Sequence, residues 1–222
     1  MAARSRAERL ADALSYLLNP LVFPPIAFAL ISWHLGAPGG EVAWVLGASL
    51  VFFCVVPLLY VLGMVRAGRA ESLEVRDRSA RARPLVVGIV SYVLGIVLLG
   101  ATTTTGTAAL VSYAALYPAN TILVVLITLR WKISIHMIGL GAFVAGLLFA
   151  ALTAWQGLPD DWEAALTLAS TAPLLLLLPV LMWARVRAKA HTVGQVVAGA
   201  AFGLFVPLAE LYVLTYHVLG LA

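Results

Sequence analysis

The 222-residue sequence predicts an all-α fold, a polytopic bundle of about seven (six or seven) transmembrane helices that forms one integral-membrane domain over residues 1–222. Hydrophobic residues make up 63% of the chain and charged residues only 11%, whereas a soluble domain carries about 25% charged residues. Apolar stretches close to the roughly 20 residues that cross a bilayer recur along the chain. Polar residues collect between these stretches, and no internal repeat or linker divides the sequence.

The predicted spans cover, in chain order, residues 13–35, 42–65, 85–102, 107–129, 133–155, 164–184 and 193–221. The first is too long for the hydrophobic region of a usual signal peptide, so we interpret it as a transmembrane helix. Its three prolines, Pro20, Pro24 and Pro25, predict a kink or a broken turn, because proline lacks the N–H that an interior helical turn needs. The third span is short, about 27 Å at 1.5 Å per residue. Spans three and four therefore have a re-entrant pair as an alternative, which leaves the sidedness of the loops unchanged.

All 14 Lys and Arg residues fall on one predicted side of the membrane, because an even number of crossings separates each basic cluster from the next. The loops on the opposite side carry acidic residues and no Lys or Arg. Basic loops stay in the cytoplasm, so the sequence predicts a cytoplasmic N-terminus and an extracytoplasmic C-terminus in a bacterial-type inner (plasma) membrane. The basic clusters are Arg4, Arg6 and Arg9; residues 66–83; Arg130 and Lys132; and Arg185, Arg187 and Lys189.

The composition also narrows the class of partner. Basic loops beside a membrane fit anionic lipid headgroups and phosphorylated substrates, and topology accounts for them better than binding to nucleic acid does. The single cysteine, Cys54, excludes an internal disulfide and a cysteine-based metal cluster. The sequence leaves the oligomeric state open.

Three of the basic segments carry residues suited to a phosphate site. Arginine offers phosphate a planar fork of donors, and the start of a helix attracts anions through its free N–H groups and positive dipole end. Two imidazoles beside one phosphorus can divide the work, one attacking and the other protonating the leaving oxygen. No metal is required, because arginine can stabilise the charge of the transition state. These segments are residues 76–84, which contain four arginines, residues 132–136, in which Ser134 and His136 begin a predicted helix, and residues 185–195, in which His191 begins another.

The order and spacing of these residues resemble the type 2 phosphatidic acid phosphatase (PAP2) superfamily over about residues 76–203. That family carries a Lys followed after six residues by Arg-Pro, then Pro-Ser-Gly-His, then Ser-Arg, five residues, His, three residues and Asp. Here Arg76 takes the place of the Lys, and Arg83-Pro84 follows at the matching distance. Ser134 and His136 match the second motif, and Arg185 and His191 match the third.

The resemblance implies a metal-independent phosphatase without a cofactor. His191 would be the nucleophile that forms a phosphohistidine, His136 would protonate the leaving alcohol, and Arg76, Arg83, Ser134 and Arg185 would hold the phosphate. Four positions depart from the family pattern. Ile133 and Ile135 replace the Pro and Gly of the second motif, Ala184 replaces the Ser before Arg185, and Gln195 replaces the Asp that orients the nucleophilic histidine. Gln195 can orient the imidazole through a hydrogen bond, but it cannot stabilise an imidazolium by charge.

We therefore expect an integral-membrane lipid phosphatase that acts on a lipid phosphate or an isoprenoid (polyprenyl) diphosphate at the cytoplasmic face. One alternative is a catalytically degenerate PAP2-like protein that binds phosphorylated lipid without turnover. Another is a membrane transporter or lipid translocator with Glu210, an acid within the last span, on its pathway. Glycines of the later spans, Gly139, Gly141, Gly146, Gly199 and Gly203, predict close helix packing.

Overall fold

The structure, a computed structural model, describes residues 5–70, 82–154 and 171–218. The secondary structure of these residues is helical, without strands, and comprises nine α-helices together with short 3-10 and π segments. In chain order the helices are α1 (Arg6–Leu17), α2 (Phe23–His34), α3 (Gly39–Ser49), α4 (Val56–Arg66), α5 (Ala82–Thr102), α6 (Thr107–Thr128), α7 (Ile135–Ala154), α8 (Leu177–Arg187) and α9 (Val193–Tyr212).

Five helical stretches are long and apolar enough to cross a membrane: Arg6–His34, Gly39–Arg66, Ala82–Thr102, Thr107–Thr128 and Val193–His217. The structure therefore confirms the prediction of an all-α integral-membrane protein. α7 contributes a shorter apolar stretch, Ile135–Phe149. The predicted span 164–184 begins outside the described residues, and its described part continues as α8 to Arg187. The total of six or seven spans stays a prediction.

The break in the first span falls at Pro20. α1 begins with a capping box, in which Ser5 accepts from the Glu8 N–H and the Glu8 carboxylate accepts from the Ser5 N–H. α1 ends at Leu17, and a 3-10 turn from Pro20 to Val22 leads into α2. Pro24 and Pro25 then lie in the first turn of α2, where a missing N–H removes no helical hydrogen bond.

The third predicted span is longer than the sequence indicates. α5 begins at Ala82, so that Arg83 and Pro84 belong to its first turn rather than to the preceding loop. Its 21 residues extend about 31 Å at 1.5 Å per residue, which matches the hydrocarbon thickness. Placing the start after the proline was wrong, because a proline in the first turn of a helix is well tolerated.

The described residues pack as two compact units. One, which we call the terminal unit, combines the N-terminal residues up to Pro20 with the residues from Ile133 onward. The other, which we call the central unit, comprises the residues between them, Leu21–Lys132.

An aromatic cluster fills the interior of the central unit. Phe53 lies 4.9 Å from the ring of Phe28 and 5.0 Å from the ring of Tyr92, between centroids. Tyr117 contacts both phenylalanines and shares a 3.3 Å hydrogen bond between hydroxyl oxygens with Tyr113. The five rings come from α2, α5, α6 and the segment between α3 and α4, so they hold four parts of this unit together.

The segment between α3 and α4 is a π-helix, Leu50–Val55. One of its carbonyl groups, that of Phe52, has no hydrogen-bond donor within the helix, and Pro57 is part of the reason. The Val56 N–H donates to Val51 rather than to Phe52, and the next residue, Pro57, has no N–H to offer. The Phe52 carbonyl therefore loses both helical donors. The Ser91 hydroxyl of α5 donates to it instead, at 2.6 Å, and this bond joins the two helices.

At one end of the central unit, Glu41 ties the start of α3 to the turn between α5 and α6. Its carboxylate accepts from the backbone N–H groups of Thr104 and Thr105, at 2.6 and 2.9 Å. The hydroxyls of the same two threonines donate to the other carboxylate oxygen, at 3.2 and 2.8 Å. Glu41, which the sequence predicts on the side opposite the basic loops, thus fixes the turn between α5 and α6.

Candidate functional site

The candidate site lies in the terminal unit, and the close packing of α7 on α9 builds it. A Cβ atom added to Gly203 would lie 2.5 Å from the Ile138 carbonyl oxygen, and one added to Gly199 would lie 2.7 Å from the Ser134 carbonyl oxygen. Only glycine permits this approach, since real Cβ atoms almost never come within 3.0 Å of other heavy atoms. The two glycines are four residues apart and so share one face of α9.

The same contacts show that α7 and α9 run parallel. Gly199 meets residues 134 and 137, while Gly203, one turn further along α9, meets Ile138 and Gly141. Both sequences advance in the same direction, so the two helices begin at the same end of the unit. Their positive dipole ends therefore lie together, which makes that end favourable for an anion.

The loop between α8 and α9 positions His191 through the main chain of Arg185. The Arg185 carbonyl accepts from the N–H of Ala190 at 3.1 Å and from that of His191 at 3.3 Å. Lys189 has a φ of 55°, the left-handed conformation that commonly ends a helix. The five residues between Arg185 and His191 thus form the end of α8 and the turn that follows it. This turn brings the His191 N–H within hydrogen-bond distance of the Arg185 carbonyl.

Gln195 has two roles at the start of α9. It forms a capping box with Thr192, in which its Oε1 accepts from the Thr192 N–H at 3.2 Å and its N–H donates to the Thr192 hydroxyl at 3.4 Å. The same Oε1 lies 3.0 Å from Nδ1 of His191. The Thr192 N–H donates to Oε1, and an amide NH₂ could not accept this hydrogen bond. The oxygen of the Gln195 amide, and not its NH₂, therefore faces His191.

This arrangement assigns the tautomer of neutral His191. An amide oxygen only accepts hydrogen bonds, so Nδ1 of His191 must carry the proton and Nε2 must carry the lone pair. The expected hydrogen bond between Gln195 and the imidazole is therefore present. It orients the ring as an acid at this position would, and it brings no negative charge.

The second motif joins the third through one backbone hydrogen bond. The Ser134 N–H donates to the Gln195 carbonyl at 3.3 Å. Ser134 is 0% exposed, and its Oγ has no hydrogen-bond partner within the described parts of the chain. A buried hydroxyl without a partner is costly and usually marks a missing water, ion or ligand. His136 is buried two residues further on, in the first turn of α7.

Hydrogen bonds thus link four of the seven residues that the sequence assigns to the site: Ser134, Arg185, His191 and Gln195. A fifth, His136, is buried in the first turn of α7, next to Ser134 in the same motif. Arg185 is only 2% exposed, and a charge at such a site acts through a lower dielectric than a surface charge does. Arg83 belongs to the central unit, where it is exposed in the first turn of α5. Arg76 lies outside the described residues. Binding of phosphate by Arg76 and Arg83 stays a prediction.

The positions that depart from the PAP2 pattern have structural roles of their own. Ile133 and Ala184 are buried, at 2% and 0% exposure. Ile135 is half-buried and is the first residue of α7. Neither isoleucine can donate or accept through its side chain, and Ala184 leaves no hydroxyl beside Arg185. Ser134 is thus the hydroxyl side chain that these two motifs retain.

Sequence reasoning missed Thr192, which caps α9 and fixes the Gln195 amide. The pattern Thr192-Val-Gly-Gln195 is a capping-box signature, a Thr followed three residues later by Gln, and would have predicted both hydrogen bonds. It would also have shown why a glutamine rather than a shorter residue stands at this position. Within the described residues, no group of three or more His, Cys, Asp and Glu side chains lies together as a metal site requires.

Comparison with protein-family models finds no match, and searches of curated proteins and of solved structures likewise find none. The resemblance to the PAP2 superfamily therefore rests on the motif residues alone.

Proposed function

We propose that the protein is an integral-membrane phosphatase of the PAP2 type, which hydrolyses a lipid phosphate or an isoprenoid diphosphate through a phosphohistidine. The observation that carries the proposal is the hydrogen bond between Nδ1 of His191 and Oε1 of Gln195. That bond leaves the lone pair on Nε2, where a nucleophile needs it. The second motif lies against the same helix start through the Ser134–Gln195 bond.

In the proposed first step, Nε2 of His191 attacks the phosphorus. A N–P bond forms, the bond from phosphorus to the ester oxygen breaks, and His136 gives that oxygen its proton. In the second step, water loses a proton to His136 and attacks the phosphohistidine. The N–P bond breaks, inorganic phosphate leaves, and both histidines return to their starting states.

The charge of the phosphate would be met by donors that are already in place. The beginnings of α7 and α9 lie side by side and direct their positive ends to one region. Arg185 adds a buried positive charge, and the Ser134 hydroxyl is available as a donor. Such fixed donors stabilise the transition state without reorganising, which is the largest contribution in many phosphoryl-transfer and acyl-transfer sites.

A lipid substrate fits a site at the end of apolar helices. The tail of a lipid phosphate would stay in the bilayer while its phosphate reaches the start of α7 and α9. The basic clusters would place this end at the cytoplasmic leaflet. Long-chain phosphate esters are therefore expected to be better substrates than short soluble ones.

The test is phosphate release by purified protein in lipid bilayers, from lipid phosphate monoesters, isoprenoid diphosphates and a short-chain soluble ester. We expect release from at least one long-chain substrate and its loss, to background, in His191→Ala. His34→Ala is the matched control, because His34 is an exposed histidine in the central unit, far along the chain from either motif. Folded protein that releases no phosphate from any substrate would contradict the proposal.

A second candidate is a PAP2-like protein that binds phosphorylated lipid without turnover. The neutral amide of Gln195 favours it, since this group cannot stabilise the imidazolium that develops during the reaction. Tight binding of a lipid phosphate that is lost in Ser134→Ala, together with no turnover in the parent, would identify this candidate. Flux through liposomes that requires Glu210 and not His191 would instead identify the transporter alternative.

A further inference from the structure

A groove opens on the surface of the terminal unit between α8 and α9. Its volume is about 430 Å³, and apolar side chains form most of its wall, namely Met182, Trp183, Val186, Val193, Val196 and Val197. Three of these are exposed to a large degree, Trp183 at 44%, Val193 at 63% and Val197 at 49%. An apolar surface of this kind on a membrane helix is expected to contact hydrocarbon.

Two basic side chains also line this groove. Arg187 ends α8 and Lys189 follows in the loop to α9, and both are exposed. The groove thus offers hydrocarbon contacts along the helices and positive charge at the ends of the helices. A phospholipid with an anionic headgroup has the complementary arrangement, and each basic residue near a membrane surface adds about 1 kcal/mol to its attraction.

The groove is separate from the candidate catalytic site, although both use α9. At about 100° per residue, the exposed groove residues Val193 and Val197 lie roughly 120° around α9 from the glycines that contact α7 and roughly 160° from Gln195. The side chain that orients His191 therefore lies on another face of the helix. A lipid in the groove would not occupy the position of the substrate phosphate.

We propose that the groove between α8 and α9 binds an anionic phospholipid, with the headgroup phosphate on Arg187 and Lys189 and an acyl chain against Trp183, Val193 and Val197. The lipid is a resident ligand rather than a substrate. Its binding does not depend on the proposed phosphatase activity, because none of the groove residues belongs to the motif set.

The intramolecular contacts of the two basic residues leave room for this ligand. Arg187 donates to the Ser5 hydroxyl from Nη2 at 3.4 Å, a long hydrogen bond on the surface. The Glu8 carboxylate also attracts Arg187 and Lys189, but it already accepts from the N–H of Ser5 in the capping box of α1. Among the described residues, the Glu8 carboxylate faces the two exposed cations Arg187 and Lys189, and these three groups together keep a net positive charge.

The experiment measures quenching of Trp183 fluorescence by brominated acyl chains in bilayers. Brominated phosphatidylglycerol or brominated phosphatidylcholine is titrated into unlabelled phosphatidylcholine that contains the protein. The signal of Trp183 is the difference between the parent and Trp183→Phe. We expect half-maximal quenching at a lower fraction of the anionic lipid than of the zwitterionic one. The preference should fall about fivefold for each basic residue removed, in Arg187→Gln and in the double variant with Lys189→Gln.

The matched control is the double variant Arg66→Gln and Arg69→Gln, which removes two exposed basic residues from the central unit. This variant should keep the full preference, which separates binding in the groove from a general change in surface charge. Equal quenching by the two lipids in the parent would overturn the proposal. So would a preference that persists in the Arg187→Gln, Lys189→Gln variant, or one that the control variant loses as well.

Discussion

The hydroxyl of Ser134 is a site feature that only the three-dimensional structure reveals. The sequence predicts Ser134 as a phosphate ligand from its place in the second motif, but it does not reveal that the Oγ atom is buried without a partner in the described parts of the chain. Burial of this kind depends on α9, whose Gly199 approaches the Ser134 main chain. The burial of this hydroxyl is a property of the tertiary structure, and no local sequence pattern predicts it.

Ser134→Ala should therefore lower activity without lowering stability. Loss of a hydrogen bond to a charged phosphate costs about 1.5–3 kcal/mol, which corresponds to roughly 10- to 150-fold in kcat/KM. The free energy of unfolding should stay the same or rise, because alanine removes a buried polar atom that lacks a partner. Phosphate release measures the activity of the variant, and thermal unfolding in the same detergent measures its stability. A stability loss that parallels the activity loss would assign Ser134 a purely structural role.

Gln195 is the residue at which sequence reasoning came nearest to the observed geometry. The expectation that its amide accepts a hydrogen bond from the imidazole agrees with the 3.0 Å contact to His191. The accompanying capping box with Thr192 was missed, although its signature is local. The sequence could indicate that Gln195 pairs with His191. The tautomer of His191 follows only from the structure, in which Oε1 of Gln195 also accepts from the Thr192 N–H.

Gln195→Leu should lower turnover, and Gln195→Glu should preserve or raise it. Leucine removes the group that holds the tautomer, and loss of such a group lowers kcat by about 10⁴-fold in the Ser-His-Asp template. Glutamate keeps the cap and the hydrogen bond and adds the charge that stabilises imidazolium, so we expect it to equal or exceed the parent rate. Steady-state phosphate release measures both. Equal rates in the leucine variant and the parent would exclude an orienting role for Gln195.

At the scale of the helices, the glycines of α9 were predicted to allow close packing, and the structure adds the partner and the direction. Gly203 and Gly141 meet backbone to backbone, and the order of the contacts makes α7 and α9 parallel. The start of α5 could have been placed before Pro84, because a proline is tolerated in the first turn of a helix. The π-helix before Pro57 could not be read from the sequence, since it depends on how neighbouring backbone groups find partners, as the bond from Ser91 to the Phe52 carbonyl shows.

Gly203→Ala should destabilise the terminal unit and weaken the site together. The added Cβ would lie 2.5 Å from the Ile138 carbonyl oxygen, so the two helices must separate, at a typical cost of about 1–3 kcal/mol. Gly194→Ala is the control, since a Cβ there meets nothing within 4 Å. Thermal unfolding in detergent should show a lower midpoint for Gly203→Ala and an unchanged or higher one for Gly194→Ala. Equal midpoints for the two variants would contradict the close packing.

At the scale of the whole molecule, composition predicts the membrane class, and the structure confirms it through five helical stretches of spanning length. The sequence gives no sign of the two-unit packing, because the terminal unit joins two segments that are far apart along the chain. The prediction of a single domain and that of seven spans both stay predictions. The sidedness of the protein stays a prediction, which rests on the charge pattern alone.

That sidedness can be measured with single cysteines. In a Cys54→Ser background, Ala70→Cys places a thiol beside the basic residues Arg66 and Arg69, and Gly40→Cys places one beside Glu41. In intact cells, an impermeant maleimide should label the cysteine at position 40 and should reach the one at position 70 only after lysis. Labelling of position 70 in intact cells would contradict the cytoplasmic location of the basic loops and of the proposed site.

The most direct test of the central claim is to trap the phosphohistidine. Purified protein is mixed with a long-chain substrate labelled in its phosphate, quenched in base and digested, and the labelled peptide is identified by mass spectrometry. We predict an acid-labile, base-stable phosphate on His191 that is absent from His191→Ala and present in His34→Ala. Turnover without label on His191, or label that survives in His191→Ala, would contradict the account.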